Sequence, residues 1–497
     1  MSLGWLRPVD VYAARDSSLG GRGLVSVVGL AAQGLIRFTV LFVIGRFGGP
    51  AVLGVMATAM AMAALLILSW PATSGQAASR FLARARGRGD PTQVAAVLGH
   101  LNRRFAQATT ALAVVAAGVW RFVGGDDAAG APAGAGWAAG AVVAAYLMGL
   151  AGQVYTRGVH YGCGAVARVV TWDVVTSSIG LAGVVALLAA GQRSVWLLAP
   201  VAVMLLVLSI GCWPWGAVSR VPGAPPRASL RRELDAFVLF GSLGTAASAG
   251  LVQLSLLAAR YAGDAAGAGR YAAATALATP LTLLSGAMSL VLYPTMAEAF
   301  GRGDREAVAT QLDRATRGLL AIVAPLIAVI VVLSPQVVAL IWGSEYGETA
   351  RLLPVVLTAV LASMVAVPCV NALTSDDEVN GIRRISLVSL AALVAATFAW
   401  VLLVPRLGVF GVSIGYAVGA LAIAGYAVTH QWRAWRMAWA GPSVRVAVLA
   451  AGVSAVLAAV PTDAAVARGL AAGALVLAWA ALSRRDLAIW RGVRPRR

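Results

Sequence analysis

The sequence predicts an all-α polytopic membrane protein with about 14 transmembrane helices, arranged as two six-helix parallel-repeat lobes followed by two C-terminal helices. Three observations lead there. First, apolar residues make up 60% of the 497 residues and charged residues 12%, with a mean hydropathy of +0.82. A soluble domain is near half apolar and a quarter charged, so lipid is the solvent that accepts this much apolar surface. Second, apolar segments long enough to cross a bilayer recur along the whole chain. Third, short stretches of sequence return at an offset of about 214 residues.

A helix needs about 20 largely apolar residues to span a bilayer. The qualifying segments are 24–45, 51–70, 105–123, 135–156, 169–190, 195–214, 236–259, 271–293, 318–342, 350–373, 385–404, 408–430, 444–460 and 466–482. The last two are short and Ala-rich. Residues 1–22 are long and polar, with Arg7, Arg15 and Arg22, and the run after them lacks a small-residue cleavage site, so they read as a cytoplasmic segment rather than a signal peptide. The remaining organisation is an N-lobe over 23–215, a linker over 216–235, a C-lobe over 236–430, the two added helices within 431–482 and a basic tail over 483–497.

Arginine counting sets the orientation. All 39 cationic side chains are Arg. With the N-terminus in the cytoplasm, 30 fall on cytoplasmic segments, Arg157 and Arg168 among them. Only Arg46, Arg121, Arg193, Arg260, Arg270, Arg351, Arg406 and Arg468 fall outside, and Arg37 lies within the first segment. That bias is the positive-inside pattern, and with an even helix count it places both termini in the cytoplasm. The arginines are dispersed between apolar segments, which argues against nucleic acid as the reason for the +19 charge. Trp70, Trp120, Trp137, Trp196, Trp213, Trp342 and Trp432 fall near segment ends, where amphipathic rings prefer the headgroup layer.

The repeat is the most informative feature. Gly87-Arg88-Gly89-Asp90 returns as Gly301-Arg302-Gly303-Asp304, Arg46 as Arg260 and Arg103 as Arg317, all at an offset of 214. Gly54 matches Gly269 at 215. These matches pair segment 1 with segment 7. Each copy then holds six helices, and an even number gives both copies the same orientation, related by an axis along the membrane normal.

Several short motifs, in order over about residues 20–430, carry a family resemblance. Arg46-Phe47-Gly48-Gly49-Pro50 with Leu53-Gly54 resembles the junction between the first two helices of polysaccharide flippases. Gly269-Arg270-Tyr271 with Ala272 and Ala274 resembles their entry to helix 8, and Tyr293-Pro294 before the second Gly-Arg-Gly-Asp resembles the exit. Ile341-Trp342-Gly343 with Tyr346, and Pro405, Gly408, Gly411 and Gly415, resemble the motifs after helix 9 and before helix 12. The chain thus resembles the Wzx-like branch of the multidrug/oligosaccharidyl-lipid/polysaccharide exporter superfamily. That resemblance implies two six-helix lobes around a cavity open alternately to each side. It also implies a polyprenyl-pyrophosphate-linked oligosaccharide as substrate, with a polysaccharide polymerase and glycosyltransferases as partners. Fourteen helices exceed the twelve of many Wzx-type members and equal the count in lipid II flippases. The acid–base pairs expected in the first helix of the latter are absent; that helix holds only Arg37.

Arg37 lies roughly 20 Å into the first segment at 1.5 Å per residue. A charge there opposes insertion unless it faces a cavity or a partner. A guanidinium matches phosphate oxygens bidentately, so an anionic headgroup is one occupant and an interhelical hydrogen bond the other. Gln33, four residues earlier, shares its face. Gln253 and Gln153 are further polar insertions, and Arg46 and Arg260 stand repeat-related near the outer mouth. The candidate substrate-binding set is therefore Arg37, Gln33, Gln253, Arg46 and Arg260. Asp173, near the cytoplasmic end of segment 5, is a candidate ion-coupling carboxylate, a partner of Arg168, or an interfacial side chain.

No cofactor or metal is called for. Cys163, Cys212 and Cys369 are widely spaced in apolar surroundings, and His100, His160 and His430 are isolated, with no second ligand at metal spacing. The acidic run Asp376-Asp377-Glu378 reads as a solvated loop, and no phosphate-binding glycine loop or nucleophile elbow occurs. The sequence therefore points to a transporter rather than an enzyme. The leading function is a flippase for lipid-linked oligosaccharide. A cation-coupled multidrug exporter or lipid II flippase of the same fold is the alternative, and a membrane-embedded polymerase or glycosyltransferase a more distant one.

Overall fold

A computed structural model of the protein describes residues 19–123, 135–215, 227–376, 378–484 and 486. The N-terminal segment before residue 19, the outer loop 124–134, residues 216–226 of the linker and the tail from 487 lie outside the described residues, as do the side chains of Asp376, Asp377 and Glu378.

Among the described residues the regular structure is helical. In order the helices are α1 Leu19–Ile67, α2 Pro71–Gly87, α3 Pro91–Val123, α4 Ala135–Gly162, α5 Val166–Ala189, α6 Ala199–Gly211 (after a short 3-10 turn, Val195–Leu198), α7 Ala228–Ala262 and α8 Ala265–Gly301. Then come α9 Arg305–Val332, α10 Ser334–Ile341, α11 Thr349–Asp376, α12 Glu378–Leu407, α13 Val409–Trp435, α14 Ala440–Ala459 and α15 Ala465–Leu482.

Every predicted apolar segment falls on helix. Eleven of the described helices are long and apolar enough to cross a membrane, or twelve when the bent α7 is taken as one span. The difference from fourteen has identifiable sources. Segments 1 and 2 run on as a single α1, interrupted where Gly49 takes a positive φ of 83° ahead of Pro50. Only glycine adopts that conformation without strain, and proline is well placed to start the next helix. Segment 6 is the shorter helical run Val195–Gly211, and α7 bends by 49° between Ala246 and Ala249.

Helix α2 was not anticipated from hydropathy. It carries Arg80, Arg84 and Arg86, yet buries Ala77, Ala78, Phe81, Leu82 and Ala85 on one face. The second segment thus continues as an amphipathic helix, whose charged face hides it from a hydropathy count.

The two Gly-Arg-Gly-Asp stretches share a local geometry. Gly89 and Gly303 both take positive φ, 65° and 72°. Asp90 then accepts a hydrogen bond from the Gln93 N–H, and Asp304 one from the Ala307 N–H, each at 3.0 Å. Both copies therefore stop one helix on a glycine and cap the next with an aspartate.

The contacts divide the chain into two compact units, one through Gly269 and one from Arg270. In the first, helices approach through glycines: a Cβ on Gly29 of α1 would meet Val170 of α5 at 2.5 Å. Gly54 and Gly269 face one another reciprocally. A Cβ on either would lie 1.8 Å from a backbone carbonyl oxygen of the other segment, that of Ala265 or of Pro50.

In the second unit, α14 and α15 are fastened to α9. Buried Arg468 donates to the carbonyls of Val332, Pro461 and Val460 at 3.0, 3.0 and 3.1 Å. The Trp479 indole N–H donates to the Ala321 carbonyl at 3.0 Å. Asp486 pairs with Arg445 at 2.6 Å and Arg317 at 3.4 Å. Cys163, Cys212 and Cys369 are buried.

Candidate functional site

Two helices of the first unit carry the same polar pattern. Gln33 and Arg37 stand four residues apart on α1, and Gln153 and Arg157 four apart on α4. That spacing places each pair on one helical face. The two pairs meet crosswise. Arg37 Nη2 donates to Gln153 Oε1 at 3.0 Å, and Arg157 Nη1 donates to Gln33 Oε1 at 2.8 Å. A stripe rising from Gln33 to Arg37 thus faces one descending from Arg157 to Gln153, which requires α1 and α4 to run antiparallel. Three crossings from the first segment to the fourth give the same result.

Asp173 of α5 closes the cluster. One carboxylate oxygen accepts from the Gln153 amide and the other from the Arg157 guanidinium, which forms an ion pair with it. Asp173 is buried, and a buried carboxylate needs such partners. The cluster holds two guanidiniums and one carboxylate, a net single positive charge. Arg157 is the guanidinium neutralised by the acid. Arg37 is held by a neutral amide and, among the described residues, faces no carboxylate. It is the exposed member of the group.

Beside the cluster is a small cavity, part of it open to the outside. Arg37, Gln153, Thr176 and Ser177 give it a polar side. Ile36, Val40, Met60, Val201, Met204 and Leu205 give an apolar one, and Tyr146 stands between. A cation that faces no acid among the described residues, on the polar side of a pocket whose other side is apolar, suits an anionic group carried on a lipid.

The sequence-predicted residues separate here. Gln33, Arg37 and Asp173 come together, joined by Gln153. The partner of Asp173 is Arg157, not Arg168, one of whose donors goes to the Gly211 carbonyl at 3.3 Å. Gln253 on α7 is half-buried and outside the cluster. Arg46 lies three residues before the Gly49 break, and Arg260 two before the end of α7. Neither belongs to the cluster. Arg157 was the residue missed: arginine counting assigns it to the cytoplasmic flank, whereas α4 continues past it to Gly162. The signal that finds it is the repeated Gln-x-x-x-Arg spacing. Of the histidines, His100 bonds Asp235 at 2.8 Å and His160 the Thr156 carbonyl at 2.8 Å.

Comparison with known proteins bears on this arrangement. Residues 167–351 match the family described as polysaccharide biosynthesis protein. No curated protein matches the chain by sequence. Among solved structures, the lipid II flippase MurJ in an inward closed conformation aligns with a TM-score of 0.68 at 10% identity, covering 94% of this chain and 99% of that one. An inward-facing multidrug resistance MATE family transporter of the MOP superfamily aligns with a TM-score of 0.63 at 15% identity, covering 81% and 94%. The chain shares the fold of these two proteins. A MOP superfamily transporter from Pyrococcus furiosus, described by a reversed polarity of its binding pocket, aligns with a TM-score of 0.57 at 17% identity, covering 83% and 94%. The family match covers residues 167–351, and the structural likenesses, all at 17% identity or less, show the fold. A multi-pass membrane protein of a transporter fold, with a polysaccharide-biosynthesis signature, is the coarse identity they give.

Proposed function

We propose that this MOP-fold protein is a flippase that moves polyprenyl-pyrophosphate-linked oligosaccharide from the cytoplasmic to the outer leaflet of a bacterial plasma membrane by alternating access, for cell-surface polysaccharide assembly. The observation that carries the reading is Arg37: a cation lining the cavity whose side-chain partner, among the described residues, is an amide. In a low-dielectric wall such a charge attracts an anion far more strongly than it would in water. The phosphate groups of the carrier supply that anion, while the lipid tail stays in the bilayer. Gln153 orients the Arg37 guanidinium, Gln33 holds Arg157 beside it, and both amides offer further hydrogen bonds. Gln253, Arg46 and Arg260 serve substrate passage elsewhere along the path, the two arginines at the outer mouth. Asp173 is the coupling carboxylate, since taking up an ion or proton there changes its hold on Arg157. The two lobes are residues 23–215 and 236–430, both termini are cytoplasmic, and the glycan arrives from glycosyltransferases and leaves to a polymerase.

The second reading is a cation-coupled multidrug exporter, favoured by the MATE likeness. A site for cationic drugs calls for an available intramembrane carboxylate. Both oxygens of Asp173 are already occupied, which weighs against it. Reconstitution into liposomes decides between them. The flippase reading expects translocation of a fluorescent prenyl-pyrophosphate glycolipid and none of a lipophilic cationic dye. The reverse pattern would establish the exporter. The orientation has its own check: reporter fusions after residues 232 and 440 should read as cytoplasmic and one near 264 as external.

A further inference from the structure

The cluster contains a second guanidinium that is not committed to the cavity. Arg157 is paired with Asp173, and its side chain keeps 22% exposure while the carboxylate keeps 4%. Gln153 links the pair to Arg37, so the two cations belong to one hydrogen-bonded group. A carboxylate presents two oxygens to a guanidinium as a phosphate does, and Asp173 holds Arg157 in the way a phosphate would. An arriving dianionic diphosphate offers Arg157 a replacement partner. The exchange leaves Asp173 with the Gln153 amide alone, and stripping a buried carboxylate of its cation opposes it.

We infer that Asp173 is an internal competitor for Arg157. The site then presents one committed cation, Arg37, and one shared cation, Arg157, to a diphosphate headgroup. The inference rests on the flippase reading above and adds a device for release. A site with two free guanidiniums would hold a diphosphate too tightly to deliver it, and Asp173 reclaims Arg157 as the headgroup leaves. Asp173 acts through Arg157 and is a positioning residue.

The test uses the full-length protein in lipid nanodiscs, with farnesyl pyrophosphate and farnesyl phosphate as probes and melting curves as the folding check. Asp173→Asn should bind farnesyl pyrophosphate about 10-fold tighter, and farnesyl phosphate with little change, because a monophosphate is satisfied by Arg37. In the liposome assay the same variant should show a lower apparent KM together with a lower turnover. A structural role would lower the folded fraction without tightening binding. The double variant Arg157→Gln with Asp173→Asn carries no buried uncompensated charge and should lose the preference for diphosphate over monophosphate. This second variant decides the matter if the single one fails to fold. Unchanged or weaker diphosphate binding in Asp173→Asn, or a full preference in the double variant, overturns the inference while leaving the flippase reading intact. Failure of the wild-type protein to bind either probe, or full binding by Arg37→Ala, overturns the flippase reading and this inference with it.

Discussion

The polar cluster of α1, α4 and α5 and the positions 214 residues later make an instructive pair. In the first copy stand Arg37, Gln153, Arg157 and Asp173; the second copy has Leu251, Val367, Asn371 and Leu387. Leu251 is buried and Leu387 is exposed on the helix surface. Asn371 exchanges hydrogen bonds with Ser289 at 3.0 and 2.9 Å. Two scaffolding devices, by contrast, are present twice: the glycine stop and the aspartate cap. The turns recur, and so do Arg46 as Arg260 and Arg103 as Arg317, but the charged cluster within the apolar segments does not. Charge inside a bilayer opposes insertion, so a copy that has no use for it loses it. The asymmetry locates the chemistry in the first copy.

That contrast can be broken by giving the first copy the residues of the second. Arg157→Asn alone strips Asp173 of its cation in a buried setting and should destabilise the protein by about 3–5 kcal/mol, read as a fall in melting temperature in detergent. Adding Asp173→Leu removes the stranded charge and should recover most of the stability, while transport stays impaired. Equal stability of the single and double variants would show that the pair is not coupled. The shared scaffold gives smaller, symmetric effects. Gly54→Ala and Gly269→Ala each force a methyl against a backbone carbonyl and should each lose roughly 1–3 kcal/mol, with near-equal losses if the facing contact is the reason. Smallest is the exposed cap. The Thr92 hydroxyl and the Gln93 N–H hold the Asp90 carboxyl below its usual range. The cap is therefore fully formed above that range and lost as pH falls through the lowered value. Asp90→Ala should remove this slight acid sensitivity and otherwise change stability little; an undiminished acid sensitivity would assign it elsewhere.

Much of the fold was legible because crossing a membrane imposes a length and a composition that a sequence displays directly. Each apolar segment lies on helix, and the Gly-Arg-Gly-Asp repeat marks equivalent turns. Hydropathy does not see a helix that continues into the headgroup layer with one charged face, and α2 and the end of α4 went unread for that reason. The site was half legible. Arg37, Gln33 and Asp173 stand out as polar residues in apolar runs, but their partnerships are long-range: Arg37 and Gln153 are 116 residues apart. Arg157 was hidden by its own charge, since an arginine near a segment end fits the topology rule before it suggests a site.

The central claim is that the uncompensated cation of the first copy carries substrate recognition. Its most direct measurement is translocation of a prenyl-pyrophosphate glycolipid by reconstituted Arg37→Ala and Arg37→Lys proteins, beside a melting curve for each. The expected result is normal folding in both, with translocation abolished in the Ala variant and partly retained in the Lys variant, which keeps the charge but loses the bidentate fork. Full translocation by a well-folded Arg37→Ala protein would contradict the account.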